Sequence, residues 1–217
     1  MPQRGALIIF EGLDRSGKST QAKRLVDHLT NEGRKVQFIP FPGKVHKSKT
    51  EVRLDRSTAI GKLIDGYLRS EVDLNEEALH LLFCANRRER VDLIQESIAA
   101  GVDVVCDRYA YSGVAYSLAK GLNGTWIRSG DIGLPKPDVV LFFEVSPEVA
   151  QQRGGFGAER LETDELQRKV RVAMGTLKRD FWKPINADGD LDSVELEVRK
   201  VVADLDLSNP LSTLEEI

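Results

Sequence analysis

Apolar positions along the chain come in two rhythms. Gly5 to Gly12, Val102 to Cys106 and Asp138 to Val145 are short apolar runs without period-two polarity, the pattern of strands buried on both faces. Lys35 to Phe41 reads as a further strand, with Pro40 placing its end at an edge or turn, and Pro184 to Ala187 as a short one. Between them the spacing is helical. Gly17 to about Gly33 carries Leu25, Val26 and Leu29 on one face and ends on a glycine. Further helices are expected over 57–69, from Ser112 onward, over 165–179 and over 193–205. Asn75 to Ala100 reads as one long helix, with Leu79, Leu82, Phe83 and Asn86 at i, i+3 and i+4 spacing. Strands alternating with helices predict an α/β fold, a doubly wound, five-stranded parallel sheet flanked by helices.

The 217 residues suit one domain over 1–217, without internal repeat or low-complexity linker. A hydrophobic fraction of 41% with 30% charged residues excludes global disorder. The net charge of −3 argues against a general nucleic-acid binder but leaves room for a basic pocket for one nucleotide. Two cysteines, Cys84 and Cys106, lie in apolar runs without metal-ligand spacing, as in a reducing compartment. No membrane span and no signal-peptide pattern is evident, so an intracellular protein is expected.

One motif carries chemistry. Gly12-Leu13-Asp14-Arg15-Ser16-Gly17-Lys18-Ser19 fits G-x-x-x-x-G-K-[ST], after an apolar strand and at the opening of a helix. The two glycines let backbone N–H groups converge on a phosphate, and the helix adds its positive dipole end. Lys18 reaches the β- and γ-phosphates, and the Ser19 hydroxyl suits Mg²⁺. Asp107 closes another strand, where P-loop proteins keep a carboxylate on the Mg²⁺ side, and Arg108 follows it. The guanine-reading tetrapeptide of switch GTPases is missing, and motors or helicases are longer and more basic. A short P-loop chain with the glycine-rich, charged segment Gly154 to Arg160 points to a small phosphotransferase.

Several segments together resemble the thymidylate kinase family, of the eukaryotic, human-like type with an arginine in the P-loop. They are Glu11 to Thr20, Leu81 to Arg87, Asp107 to Tyr116, Gly133 to Asp138, Arg153 to Arg160 and Pro210 to Leu214, in the same order over nearly the whole chain. The resemblance implies a P-loop nucleoside-monophosphate kinase fold with a short lid over 153–163. It also implies transfer of the γ-phosphoryl of ATP to dTMP with Mg²⁺, in dTTP biosynthesis. Arg15, Lys18, Asp14 and Asp107 would be catalytic, with Ser19 and Asp107 on the metal. Gly12, Leu13, Asp14, Arg15, Ser16, Gly17, Lys18, Ser19 and Thr20 would bind ATP, with Arg153 against the adenine and Arg160 also serving the nucleotide. For dTMP, Phe83 would stack on the base and Arg87 would bond a base carbonyl. Arg56 and Arg108 would hold the phosphate, Asp14 would meet the 3′-hydroxyl, and Tyr109 and Tyr116 would line the sugar. Phe41, Ser112 and Gly113 complete that set. A homodimer packed through helices, in cytoplasm or nucleus, and no nucleic-acid or membrane partner are implied as well.

Two departures from the family stand out. Leu161 follows Glu159-Arg160 where the family usually carries a tyrosine. Residues 43–55 insert about a dozen positions before Arg56, which suits a solvated loop, although His46 and its neighbouring lysines suit phosphate too. Two rival readings stay open on the sequence. One is a kinase for another nucleoside monophosphate or a deoxynucleoside; the other is a nucleotide-binding regulatory subunit without turnover.

Overall fold

Five apolar runs become five parallel strands in the computed structural model, which describes residues 3–42, 58–153 and 159–217. The insertion at 43–55, Arg56 and the glycine-rich stretch 154–158 lie outside the described residues. The strands are β1 (Leu7–Gly12), β2 (Val36–Pro40), β3 (Asp103–Asp107), β4 (Val139–Glu144) and β5 (Trp182–Asn186), ordered β2-β3-β1-β4-β5. The helices are α1 (Lys18–Asn31), α2 (Ala59–Leu68), α3 (Glu76–Arg88), α4 (Val91–Ala99), α5 (Ala110–Ala119), α6 (Gly124–Ser129), α7 (Pro147–Gln152), α8 (Asp164–Leu177) and α9 (Leu191–Ala203).

The pleat of β1 divides the core. Leu7 and Ile9 pack with Val114, Ala115, Val170 and Met174 of α5 and α8 on one face. Ile8 and Phe10 pack with Ala22, Leu25, Val194 and Val198 of α1 and α9 on the other. A smaller cluster, Ile64, Tyr67, Leu68 and Leu79, joins α2 to α3 and is flanked by Phe83 and Leu161. β2 is an edge strand, so Pro40 at its end removes no inner ladder bond.

One sequence expectation fails. The stretch from Asn75 to Ala100 is two helices, broken at Glu89 and Arg90, where the amide of Arg90 turns back to the carbonyl of Arg87 at 3.0 Å. The apolar residues on either side of the break serve different partners. Leu79 faces α2, whereas Ile94 and Ile98 enter the main core beneath β3. No glycine or proline marks the change of direction, so periodicity alone runs through it. The six-residue helices α6 and α7 have one and no buried residue respectively, too little apolar period to read.

Because all strands are parallel, Gly12, Asp107 and the end of β4 emerge on the same edge of the sheet. The chain runs from β1 outward to β2 and β3 on one side, then to β4 and β5 on the other. The carboxyl end of β1 therefore sits where the winding reverses, the crevice in which such sheets bind ligands. Among the described residues no helix is long and apolar enough to cross a membrane.

Candidate active site

The loop from Gly12 to Gly17 joins β1 to α1. Gly12 has φ +151°, and a Cβ there would lie 2.9 Å from the Phe143 carbonyl oxygen, so only glycine fits. Gly17, at φ +87°, is the N-cap of α1, without a side-chain cap and without an acidic residue in the first turn. That leaves the positive end of a fourteen-residue helix facing the loop, a ready site for a phosphate. Lys18 lies buried under the loop, its Nζ bonded to the Leu13 carbonyl at 3.2 Å and 3.8 Å from Asp14 Oδ1. Burial, seconded by the nearby Arg108 charge, lowers its pKa from the usual lysine value.

A polar network ties this loop to α5 and α8. Arg108 has φ +68°, unusual for a residue with a side chain. Its guanidinium bonds Asp14, donates to Ser112 Oγ at 2.8 Å and reaches the Gly12 carbonyl at 3.3 Å. Ser112 Oγ passes its own hydrogen to Glu11 Oε2 at 2.5 Å. The other oxygen of Glu11, a fully buried residue, accepts the amides of Tyr109 and Ser112 at 2.9 and 3.0 Å, closing the start of α5. Burial pushes the Glu11 carboxyl pKa up. Asp14 behaves oppositely. Burial opposes its charge, but Arg108, Lys18 and the Tyr116 hydroxyl at 2.9 Å together hold it down to about 2. Gln167 of α8 adds a bond from Nε2 to Asp14 Oδ2 at 2.7 Å and accepts the Asp14 amide at 3.2 Å.

Beside Asp14 opens a cleft with about 810 Å³ of atom-free space, part of it open to solvent. One stripe of α3 lines it: Leu79, His80, Phe83, Asn86 and Arg87, spaced i, i+1, i+4, i+7 and i+8. Asn75 starts that helix by accepting the amides of Glu77 and Ala78. Arg87 is only 3% exposed and is held from behind by the fully buried Asp131, at 2.7 Å from Nε and 2.6 Å from Nη2. This bidentate pair keeps Arg87 charged and fixed in direction, despite the burial that opposes its charge. Tyr109 is anchored similarly, its hydroxyl donating to the Pro135 carbonyl at 3.2 Å. The C-terminal tail supports that loop, since the Gly133 amide donates to the Leu214 carbonyl at 2.7 Å and the Leu214 amide to the Leu134 carbonyl at 2.8 Å.

The structure gathers Asp14, Phe41, Phe83, Arg87, Arg108, Tyr109, Ser112, Gly113 and Tyr116 around this one cleft. Lys18, under the loop, and Asp107, at the end of β3, are not in the cleft lining, while Ser19 and Thr20 are exposed at the start of α1. Arg15 does not join the cleft; its Nη1 donates to the Ala150 carbonyl of α7 at 3.2 Å. Arg153 lies over the loop, bonded to the carbonyls of Arg15 at 3.1 Å and Ala187 at 2.5 Å. Arg160 is engaged elsewhere: it pairs with Asp73 at 2.7 Å and stacks on the Tyr67 ring, while its amide bonds the Leu68 carbonyl. Leu161 forms an apolar part of the cleft wall.

This arrangement, a phosphate loop next to a half-apolar cleft with convergent cations, has a match among known proteins. A family model described as thymidylate kinase matches residues 10–197. The chain belongs to the thymidylate kinase family. It is 58% identical to a thymidylate kinase of Caenorhabditis elegans, over 99% of this chain and 98% of that one. It is 40% identical to the human thymidylate kinase, over 93% and 92%. The solved thymidylate kinase of Candida albicans superposes with a TM-score of 0.85 at 34% identity, covering 99% of this chain and all of that one.

Three members of this thymidylate kinase site escape sequence reasoning. Glu11 lies just outside the loop motif in an apolar strand, and nothing local says that it caps α5. Asp131 lies in a turn forty-four residues beyond Arg87, so their pairing needs the fold. Gln167 sits in an amphipathic helix, where a glutamine ordinarily faces solvent.

Proposed function

We propose that this thymidylate kinase uses the two sides of Asp14 for its two substrates, with ATP phosphates on the loop and dTMP in the cleft. The observation that carries the reading is the bridging position of Asp14 itself. It pairs with Lys18 of the loop at 3.8 Å and with Arg108 at the mouth of the cleft. Transfer of the γ-phosphoryl of ATP to the dTMP phosphate, giving ADP and dTDP, needs in-line alignment and charge neutralisation rather than covalent catalysis. Lys18 supplies a buried cation at the donor and Arg108 one at the acceptor phosphate. Arg15, from the loop, releases Ala150 and turns to the moving phosphoryl group once the nucleotide is bound. Phe83 stacks on the thymine, Arg87 donates to a base carbonyl, and Tyr116 crowds the sugar where a 2′-hydroxyl would sit. Arg153 covers the adenine side of the loop.

The residues present fit a magnesium ion. Asp107 Oδ1 is buried without a hydrogen-bond partner, and the Ser19 hydroxyl lies exposed at the start of α1. When bound, Mg²⁺ neutralises charge between the donor phosphates. The two buried cysteines, neither in a disulfide, support a reducing compartment, cytoplasmic or nuclear, and family membership supports a homodimer. The test is to follow label from γ-labelled ATP with dTMP as acceptor. Label recovered in dTDP supports the assignment; ATP binding with label released only as inorganic phosphate refutes it.

A further inference from the structure

The cleft contains a polar group that the assignments above leave idle. Asn86 is 1% exposed and lines the cleft between Phe83 and Arg87, yet its amide Nδ2 is buried without a hydrogen-bond partner. Its polar neighbours are satisfied. Arg87 is held by Asp131. His80 Nε2 donates to the Ile127 carbonyl at 2.9 Å, which leaves Nδ1 to accept the Ser117 hydroxyl at 2.8 Å. Lys120 is bound to Glu76 at 2.5 Å. Among the described residues lining the cleft, Asn86 alone keeps a buried side-chain atom without a partner. A buried amide in that condition opposes folding, and a ligand seated in the cleft would complete it.

We infer that Asn86 is a specificity-determining residue that reads the pairing edge of the acceptor base, an inference that rests on dTMP being the acceptor. A carboxamide presents a donor and an acceptor side by side. The imide edge of thymine presents a carbonyl beside N3–H, its complement. By itself a carboxamide would serve cytosine equally well by turning over. Arg87 removes that freedom because a guanidinium only donates. With thymine, Arg87 bonds one carbonyl while the Asn86 carbonyl accepts N3–H and its amide donates to the other carbonyl. With cytosine, the exocyclic amine faces the donors of Arg87, and N3 arrives without a hydrogen. Phe83, one turn before Asn86 and Arg87, supplies the stacking surface, so three residues of a single helical stripe set plane, edge and polarity.

The experiment compares kcat and KM for dTMP and for 5-methyl-dCMP, which keeps the methyl and the ring but reverses the edge. The enzymes are the native chain, Asn86→Leu, which keeps the shape, and Asn86→Ala. The native enzyme is expected to favour dTMP by about 100-fold or more in kcat/KM. In Asn86→Leu that preference is expected to shrink about tenfold or more, through a raised KM for dTMP with kcat nearly unchanged. A preference that stays the same in a variant with native melting temperature and native ATP binding overturns the inference, as does a native enzyme that accepts both nucleotides equally. The second comparison holds even if neither variant folds. Failure of the native enzyme to phosphorylate dTMP would instead overturn the function assignment, and the role of Asn86 with it.

Discussion

The phosphate loop and the cleft beside it are held by different means. The loop is built from consecutive residues, and its shape is a backbone property: Gly12 and Gly17 take conformations that side chains disfavour, and α1 begins without a side-chain cap. The cleft is built mainly from side chains of α3, α5 and the residues just before α5, and its key polar members are fixed by partners outside the cleft. Asp131 fixes Arg87, Pro135 fixes Tyr109, and Glu11 fixes the start of α5. A site for phosphate, which every nucleotide shares, is met by N–H groups and a lysine. A site for one base and one sugar demands direction from each side chain, and direction inside a protein comes from a second set of contacts.

If that contrast holds, substitutions in the loop act on turnover and those behind the cleft act on acceptor affinity. Lys18→Ala should reduce kcat about 1,000-fold while dTMP binding, measured by calorimetry, changes little. Arg15→Ala should lower kcat about 100-fold, far more than it raises the KM for dTMP; equal losses in both would place Arg15 in binding instead. Asp131→Asn leaves Arg87 buried without its counter-charge, so it should destabilise the fold by about 3–5 kcal/mol in denaturant titration. The same variant should raise the dTMP KM about tenfold with kcat largely kept.

The pH dependence of stability tests the junction between the two regions. Asp14 is held at about 2 against an ordinary 3.8, so its ion pairs stabilise the fold in full above pH 4, by about 2 kcal/mol. That contribution is lost as the pH falls from 4 to 2. Acid titrations of the native chain and of Asp14→Asn should therefore converge over this interval. The smallest expected effect comes from Leu161→Tyr, which restores a phenol to the cleft wall and should shift the dTMP KM only a few-fold in steady-state assays.

The same contrast explains what the sequence made legible. The parallel sheet, its five strands and the phosphate loop follow from local signals, since apolar runs and glycine spacing are properties of neighbouring residues. The membership of the cleft came from resemblance, because a phenylalanine at position 83 looks like core and an arginine at 87 looks like surface until the fold closes. The supports were illegible. Asp131 and Gln167 reach their partners across forty-four residues or more, and the break at Glu89 carries no breaker residue. Arg160, read as a nucleotide contact, packs on Tyr67 and Asp73 because α2 presents an aromatic face there and the segment before α3 a carboxylate.

The most direct measurement is coupled ADP release with Mg-ATP against dTMP, dUMP, dGMP, AMP, CMP and thymidine. The account predicts strong preference for dTMP, with the inserted segment and Leu161 both tolerated. A folded protein that binds ATP but releases ADP with none of these acceptors would contradict it.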